Sequence, residues 1–336
     1  MGHNTAALSS VHDYPAIEAP DLRRYQPHDL RRVREFDAVV VAGGEQIQEG
    51  RFGNPLRGLL TSVFVVVEAA RRSGKPVFLW AVGAQPLRSP ISRLTLRRIS
   101  RAATLVVRDR YSAEQLVTAL QPRQRTVHVT ADPVFSLKRA TDEHIDEGSQ
   151  LLGTAGSRPY MLVVPAHDRR VSLTYLEPFI EGCQLAATEL SVSPRLLFTD
   201  LQPQYDATLL GRRELQPYGG QLVPLEYRDL RKLVGLIAGA SVVVSARLHP
   251  LIVAATQSVP HVAVARSGKM TAFVTEFNGQ AIETAELDAA DLRRRIVREA
   301  TRERVWSDSF RLRLTDLQAR AAKTYELFAS HVAGHQ

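Results

Sequence analysis

Cysteine is almost missing from this chain. The single Cys183 has no partner for a disulfide and no neighbours for a thiolate zinc site. That fits a reducing compartment. Long apolar runs are missing too. The Val63-Phe64-Val65-Val66-Val67 run is far shorter than the ~20 residues of a membrane-spanning helix. Residues 1–14 have no basic start followed by an apolar core, so no secretory signal is read there and a cytoplasmic location is expected. Aromatic residues make up only 7%, and the arginines behind the +8 net charge lie scattered among acids, as in 291–304. Nucleic-acid binders gather basic residues on one face, often with aromatics between them. Nucleic acid is therefore not an expected partner.

Several signature motifs are absent as well. No two glycines are separated by a single residue, which excludes the Gly-x-Gly-x-x-Gly dinucleotide loop. Ser73-Gly74-Lys75 runs into Pro76 and Ser267-Gly268-Lys269 into Met270, so neither is a phosphate-binding P-loop. The chain has no His-Glu-x-x-His and no Gly-x-Ser-x-Gly, which removes the zinc-protease and esterase readings.

What is present is an alternation of strands and helices. At 336 residues the chain has room for about two domains, and 44% hydrophobic with 23% charged residues is ordinary for a globular protein. Short β-branched runs occur at Asp37–Ala42, Pro76–Ala81, Thr104–Val107 and Thr126–Val129, with helical spacing between them. A polar stretch, Lys138–Pro159, is read as a linker. The pattern resumes with strands at Tyr160–Val164, Arg195–Phe198, Ser241–Val244 and Pro260–Ala265, and the chain turns wholly helical from Leu287. The fold class expected is α/β, with two Rossmann-like domains over 1–145 and 146–286 and a helical C-terminal tail over 287–336. Such a tail can strap one domain to the other.

The chemistry concentrates where strands end. In Ser241-Val-Val-Val-Ser-Ala-Arg-Leu-His-Pro250 a buried strand runs straight into a helix whose first turn tolerates Pro250. That puts Ser245, Arg247 and His249 at the carboxyl edge of a sheet, where ligands of open α/β folds bind. Free helix N–H groups favour an anion there, Arg247 can grip a phosphate or carboxylate, and His249 can move a proton near neutral pH. For His249 alone, a satisfied core histidine is the better reading; beside Arg247 the functional one gains. Arg108, in Val107-Arg-Asp-Arg-Tyr-Ser112, follows another strand. There a ligand role and a simple Ser112 cap with an Arg108–Asp109 ion pair weigh equally. Lys269 comes 20 residues after His249, one strand–helix unit further on. Gly43, Gly44 and Gly83 also stand at strand exits, where a missing side chain lets backbone approach a ligand or merely makes a turn.

In this order the motifs resemble the polysaccharide pyruvyltransferase family. The likeness runs from about Asp37 to Asn278. It rests on Gly43-Gly44, Ala81-Val-Gly-Ala-Gln-Pro-Leu87, Arg108-Asp-Arg-Tyr-Ser112, Asp132-Pro133, Ser245-Ala-Arg-Leu-His249 and Lys269. The resemblance implies a GT-B-like arrangement with its site in the cleft. It implies transfer of the enolpyruvyl group of phosphoenolpyruvate to a sugar of a cell-surface or exopolysaccharide precursor, with release of phosphate and formation of a pyruvate ketal. Arg108, Arg247, Leu248 and Lys269 would bind phosphoenolpyruvate and His249 would be the acid. Gly43, Gly44, Gly83 and Ser245 would line the site. No metal or organic cofactor is expected. The alternatives are a GT-B-like glycosyltransferase using a nucleotide sugar, and a non-catalytic binding relative. Two departures stand out: no strand with an Asn-x-Gly-Asp loop precedes Asp37, and Glu45 stands where the family commonly has a third glycine. An N-terminal strand–loop unit is therefore expected to be missing.

Overall fold

The structure, a computed structural model, describes residues 30–50, 58–120, 126–153, 159–167, 173–198, 209, 212–218, 230–277, 279, 281–302 and 307–334. The expectation about the start of the chain falls mostly on residues 1–29, outside the described ones. The chain divides into two compact units, Met1–Ser136 with Thr315–Gln336, and Leu137–Leu314.

In the first unit, β1 (Val39–Ala42), β2 (Val77–Val82), β3 (Thr104–Val107) and β4 (Val127–Val129) form one parallel sheet in the order β1-β2-β3-β4. Helices α1 (Leu59–Arg72), α2 (Pro90–Ala102) and α3 (Arg110–Ala119) connect or follow these strands. On α1 the residues Leu60, Val63, Val67 and Ala70 recur at helical spacing and are buried, together with Val41, Leu79 and Leu105 of the sheet. Helix α2 starts where Ser89 accepts the Ile91 N–H and Pro90 occupies the first turn. The side chains of Phe78 and Trp80 meet the last helix, α10 (Asp308–Ala333). Phe328 lies 5.4 Å from Phe78 and 5.3 Å from Trp80, ring centroid to centroid. Buried polar groups close that contact: Thr324 donates to Thr130 Oγ1 at 2.8 Å and Arg320 to the Thr130 carbonyl at 2.7 Å.

In the second unit, β5 (Tyr160–Val164), β6 (Ser193–Leu196), β7 (Val242–Ser245), β8 (His261–Ala265) and β9 (Ile282–Glu283) are parallel in the order β6-β5-β7-β8-β9. The chain goes outward from β5 to β6, then returns to the other side of β5 with β7. That reversal makes β5/β7 a topological switch point. Helices α4 (Asp142–Gln150), α5 (Leu176–Leu190), α6 (Leu230–Ala238), α7 (Leu248–Gln257), α8 (Gly268–Glu276) and α9 (Ala289–Thr301) flank the sheet. Phe179, Ile180 and Cys183 of α5 pack with Leu292 and Ile296 of α9 over Met161, Val163 and Val244. Burial raises the Cys183 thiol pKa far above its usual range, so this cysteine is inert packing.

The stretch read as a linker contains α4. It has a capping box, in which the Thr141 side chain accepts the His144 N–H and the His144 ring accepts the Thr141 N–H. Its partner is α6, and glycine sets the approach. A Cβ at Gly148 would lie 2.1 Å from the Leu236 nitrogen, and one at Gly235 1.6 Å from the His144 carbonyl oxygen. Backbone-to-backbone packing needs no apolar stripe, so hydrophobic periodicity misses it.

His261 opens β8. Its ring centroid lies 6.1 Å from that of Phe273 and 6.4 Å from that of Phe310, and its Nδ1–H donates to the Val259 carbonyl at 3.0 Å. Burial lowers the His261 pKa, against the opposing effects of the Val259 bond and the Glu299 charge. The neutral ring is thus preferred in the folded chain. Below about pH 6.5 the unfolded chain binds the proton first, so stability falls as pH falls toward and through the lowered value. Melting temperatures measured from about pH 7 to about pH 5 should decline less steeply in His261→Phe than in the wild type. An unchanged slope would show that His261 is not the group responsible.

Candidate active site

The carboxyl edge of the first sheet is built around Arg108. Strand β3 ends and the Asp109 side chain caps α3, accepting the Ser112 N–H at 2.6 Å. Asp109, not Ser112, is therefore the cap. Ser112 lies inside the first turn, and its hydroxyl accepts the Ala84 N–H at 3.0 Å. The Arg108 side chain is only 4% exposed, with Nη1 3.1 Å from Asp132 and Nε 3.3 Å from Asp109. Burial by itself lowers its pKa, but the charges of Asp132, Asp109 and Glu45 outweigh that and raise it. The guanidinium stays a cation with carboxylates around it.

Gly83 and Gly44 pack under this group. A Cβ on Gly83 would lie 3.1 Å from Arg108 Nη2 and 3.2 Å from the Gly44 carbonyl oxygen, so a side chain there would press on both by a few tenths of an ångström. Gly43 and Gly44 adopt φ of 53° and 66°, the left-handed region that glycine enters without a steric cost. The Gly83 N–H donates to the Gly44 carbonyl at 2.7 Å and the Ile47 N–H to the Gly83 carbonyl at 3.2 Å. Glu45, the departure from a glycine run, accepts from Gln85 Nε2 at 2.7 Å. Just before this loop, Ala81 takes φ 47° and the β2–β3 register shifts between Leu79 and Val82. A non-glycine residue held there is backbone strain of the kind that collects at functional edges.

The second unit places the other expected residues on two adjacent strand exits, since β7 pairs with β8. After β7, the Ser245 hydroxyl accepts the Arg247 N–H at 2.9 Å and donates to the Arg247 carbonyl at 2.8 Å, closing a tight turn. Arg247 is then the N-cap of α7, Leu248 its first residue, and Pro250 is buried in the first turn. Arg247 and Leu248 are half-buried and His249 is exposed. After β8, Ser267 is the N-cap of α8, and Lys269, half-buried, is its second residue. Among the described residues, neither N-cap side chain bonds the first turn of its helix, and helix starts of this kind favour an anion. Arg266 Nε donates to the Ala246 carbonyl at 2.9 Å and ties the two turns together.

Sequence reasoning did not find Arg266 or His167. The latter stands just past β5, on the other side of the switch point, where the Ala246 N–H donates to the Val164 carbonyl at 2.9 Å. Tyr175 fixes that exit by donating to the Ala166 carbonyl at 2.5 Å. No motif marks His167, and only strand order gives it meaning. Arg108 and the three glycines thus gather in the first unit, and Ser245, Arg247, Leu248, His249 and Lys269 in the second. Among the described residues, no three His, Cys, Asp or Glu side chains form a cluster that would hold a metal ion.

Two parallel α/β units of this kind define a GT-B-like fold, and solved structures bear that out at low identity. UDP-GlcNAc 2-epimerase from Methanocaldococcus jannaschii superposes with a TM-score of 0.61 at 10% identity, over 97% of this chain and 89% of that one. UDP-N-acetylglucosamine 2-epimerase from Rickettsia bellii gives 0.56 at 13% identity, over 92% and 80%. Anabaena HepE in complex with UDP-glucose gives 0.57 at 16%, over 96% and 88%. The polysaccharide pyruvyl transferase family model matches residues 6–268, and the chain belongs to that family. No curated protein matches it.

Replacing Arg108 by Ala leaves Asp132 buried beside Asp109 without its cation. Denaturant unfolding should show a loss of about 3–5 kcal/mol. Asp132→Asn, which keeps Asp109 on the guanidinium, should cost less. A loss below about 1 kcal/mol in Arg108→Ala would remove Arg108 from the centre of this edge.

Proposed function

We propose that the protein transfers the pyruvyl group of phosphoenolpyruvate to a sugar carrying two neighbouring hydroxyls, within a cell-surface or exopolysaccharide precursor. The reading rests on family membership. The observation that carries it to particular residues is the pairing of Arg247–His249 with Lys269 on neighbouring strand exits beside the switch point. Phosphoenolpyruvate bears a phosphate and a carboxylate. Arg247, Lys269 and the two helix starts match such a ligand in charge and donor geometry.

In this reading His249, as imidazolium, gives its proton to C3 of phosphoenolpyruvate and positive charge develops at C2. A sugar hydroxyl attacks C2 and loses its proton. The C2–O bond to phosphate breaks, with Arg247 and Lys269 stabilising the departing anion. A second hydroxyl of the same sugar then adds to C2 and closes the ketal. The net change joins one phosphoenolpyruvate to one diol and releases one phosphate, with no redox step and no metal or organic cofactor called for. Leu248 supplies apolar contact beside the ligand. Arg108 enters differently: held by Asp109 and Asp132, it shapes the Gly44–Gly83 edge of the first unit.

Phosphate release from phosphoenolpyruvate, with candidate sugar acceptors, tests the reading. His249→Gln should lower kcat by about 10²- to 10⁴-fold, and Arg247→Ala should raise KM for phosphoenolpyruvate by about tenfold or more. If no acceptor supports release, and calorimetry finds UDP bound but not phosphoenolpyruvate, the nucleotide-sugar alternative replaces it.

A further inference from the structure

Helix α2 has the wrong outer face for a helix that meets only water. Its buried side is Ser92, Leu96, Ile99 and Ser100. At 100° per residue the opposite side is Leu94, Arg98 and Arg101, with Ile91 on its flank. Ile91 and Leu94 are 52% and 51% exposed, where a surface helix normally shows polar groups. The helix contains four arginines and no acid, and Arg88 precedes it. Among the described residues none of Arg88, Arg97, Arg98 and Arg101 makes a salt bridge, whereas Arg71 and Arg72 pair with Glu68 and Arg294 and Arg295 with Asp291.

We propose that this face of α2 docks the protein on an anionic lipid surface. Ile91 and Leu94 would enter the headgroup–acyl boundary while Arg98 and Arg101 reach the lipid phosphates, the arrangement by which basic amphipathic helices lie in a membrane interface. Charge decides against a second copy of this chain, because a symmetric contact through an acid-free helix sets arginine against arginine. The apolar residues are aliphatic, which suits acyl chains and offers no stacking surface for bases. The docking is peripheral: among the described residues no helix is long and apolar enough to cross a membrane. Because α2 leaves the sheet through the β2 exit, it begins at the same edge as Gly83 and Arg108. Docking there would bring the site edge of the first unit to an acceptor carried by a lipid.

Co-sedimentation of the full chain with phosphatidylglycerol–phosphatidylcholine vesicles, against pure phosphatidylcholine, tests this. The double variants Ile91→Ser/Leu94→Ser and Arg98→Gln/Arg101→Gln should each lower the partition coefficient by roughly 10- to 30-fold. Arg294→Gln/Arg298→Gln on α9 removes the same charge elsewhere and should leave it within about twofold. All four α2 side chains are exposed, so melting temperatures should not move. Phosphate release with a water-soluble acceptor should also be unchanged, which separates this proposal from the reaction. Three results would each overturn it: no binding to anionic vesicles, equal losses in the α9 control, or full binding without Ile91 and Leu94. A dimer that dissolves in Ile91→Ser/Leu94→Ser would overturn it as well and give the face to a second copy.

Discussion

The carboxyl edge of the first sheet depends on one buried cation. Arg108 is fixed at the end of β3, yet its partners come from elsewhere: Asp109 from the start of α3, Asp132 from just past β4, and Gly83 from the exit of β2. Gly44, from the exit of β1, bonds Gly83 in turn. Exits of all four strands in this sheet therefore meet on one guanidinium. Desolvating a cation is costly, and a site built this way holds only while both carboxylates stay in place. The cost yields geometry: loops that would otherwise move freely are held to a single arrangement.

The second unit solves the same problem mainly with hydrogen bonds to main-chain carbonyls. Its exits are joined through backbone carbonyls: Val164 accepts from the Ala246 N–H, Ala246 from the Arg266 side chain, and Ala166 from the Tyr175 hydroxyl. Arg247, His249 and Lys269 are left with more solvent than Arg108, at the ends of two helices whose dipoles favour negative charge. The first edge is thus neutralised from within, while the second presents two helix starts with basic side chains beside them. A doubly charged small anion suits the second.

Much of the fold was legible in the residues, because buried parallel strands are written as β-branched runs. Thr104–Val107 and Tyr160–Val164 match their strands end to end. Helix α4 was hidden because its packing runs through Gly148 against Gly235 rather than through an apolar stripe. The two-residue β9 was too short to leave a pattern. At the site, Ser245, Arg247 and His249 could be placed from Pro250 alone, since proline fixes the first helical turn. The Ser112 cap was out by three residues because Asp109 is an equally good cap and comes first. Strand order is not written locally, so neither the β5/β7 switch point nor His167 beside it could be read. Arg108 could be named as important, but its carboxylate partners, 1 and 24 residues away, decide what it does.

The central claim is that phosphoenolpyruvate is protonated at C3 and its C2 is captured by two hydroxyls of one sugar. Running the reaction in D₂O and weighing the product tests this most directly. The account predicts a ketal whose methyl group carries one deuterium, with phosphate released in equal amount, and loss of that product in His249→Gln. A product lacking solvent deuterium in the methyl group, or a sugar modified without any pyruvyl group, would contradict it.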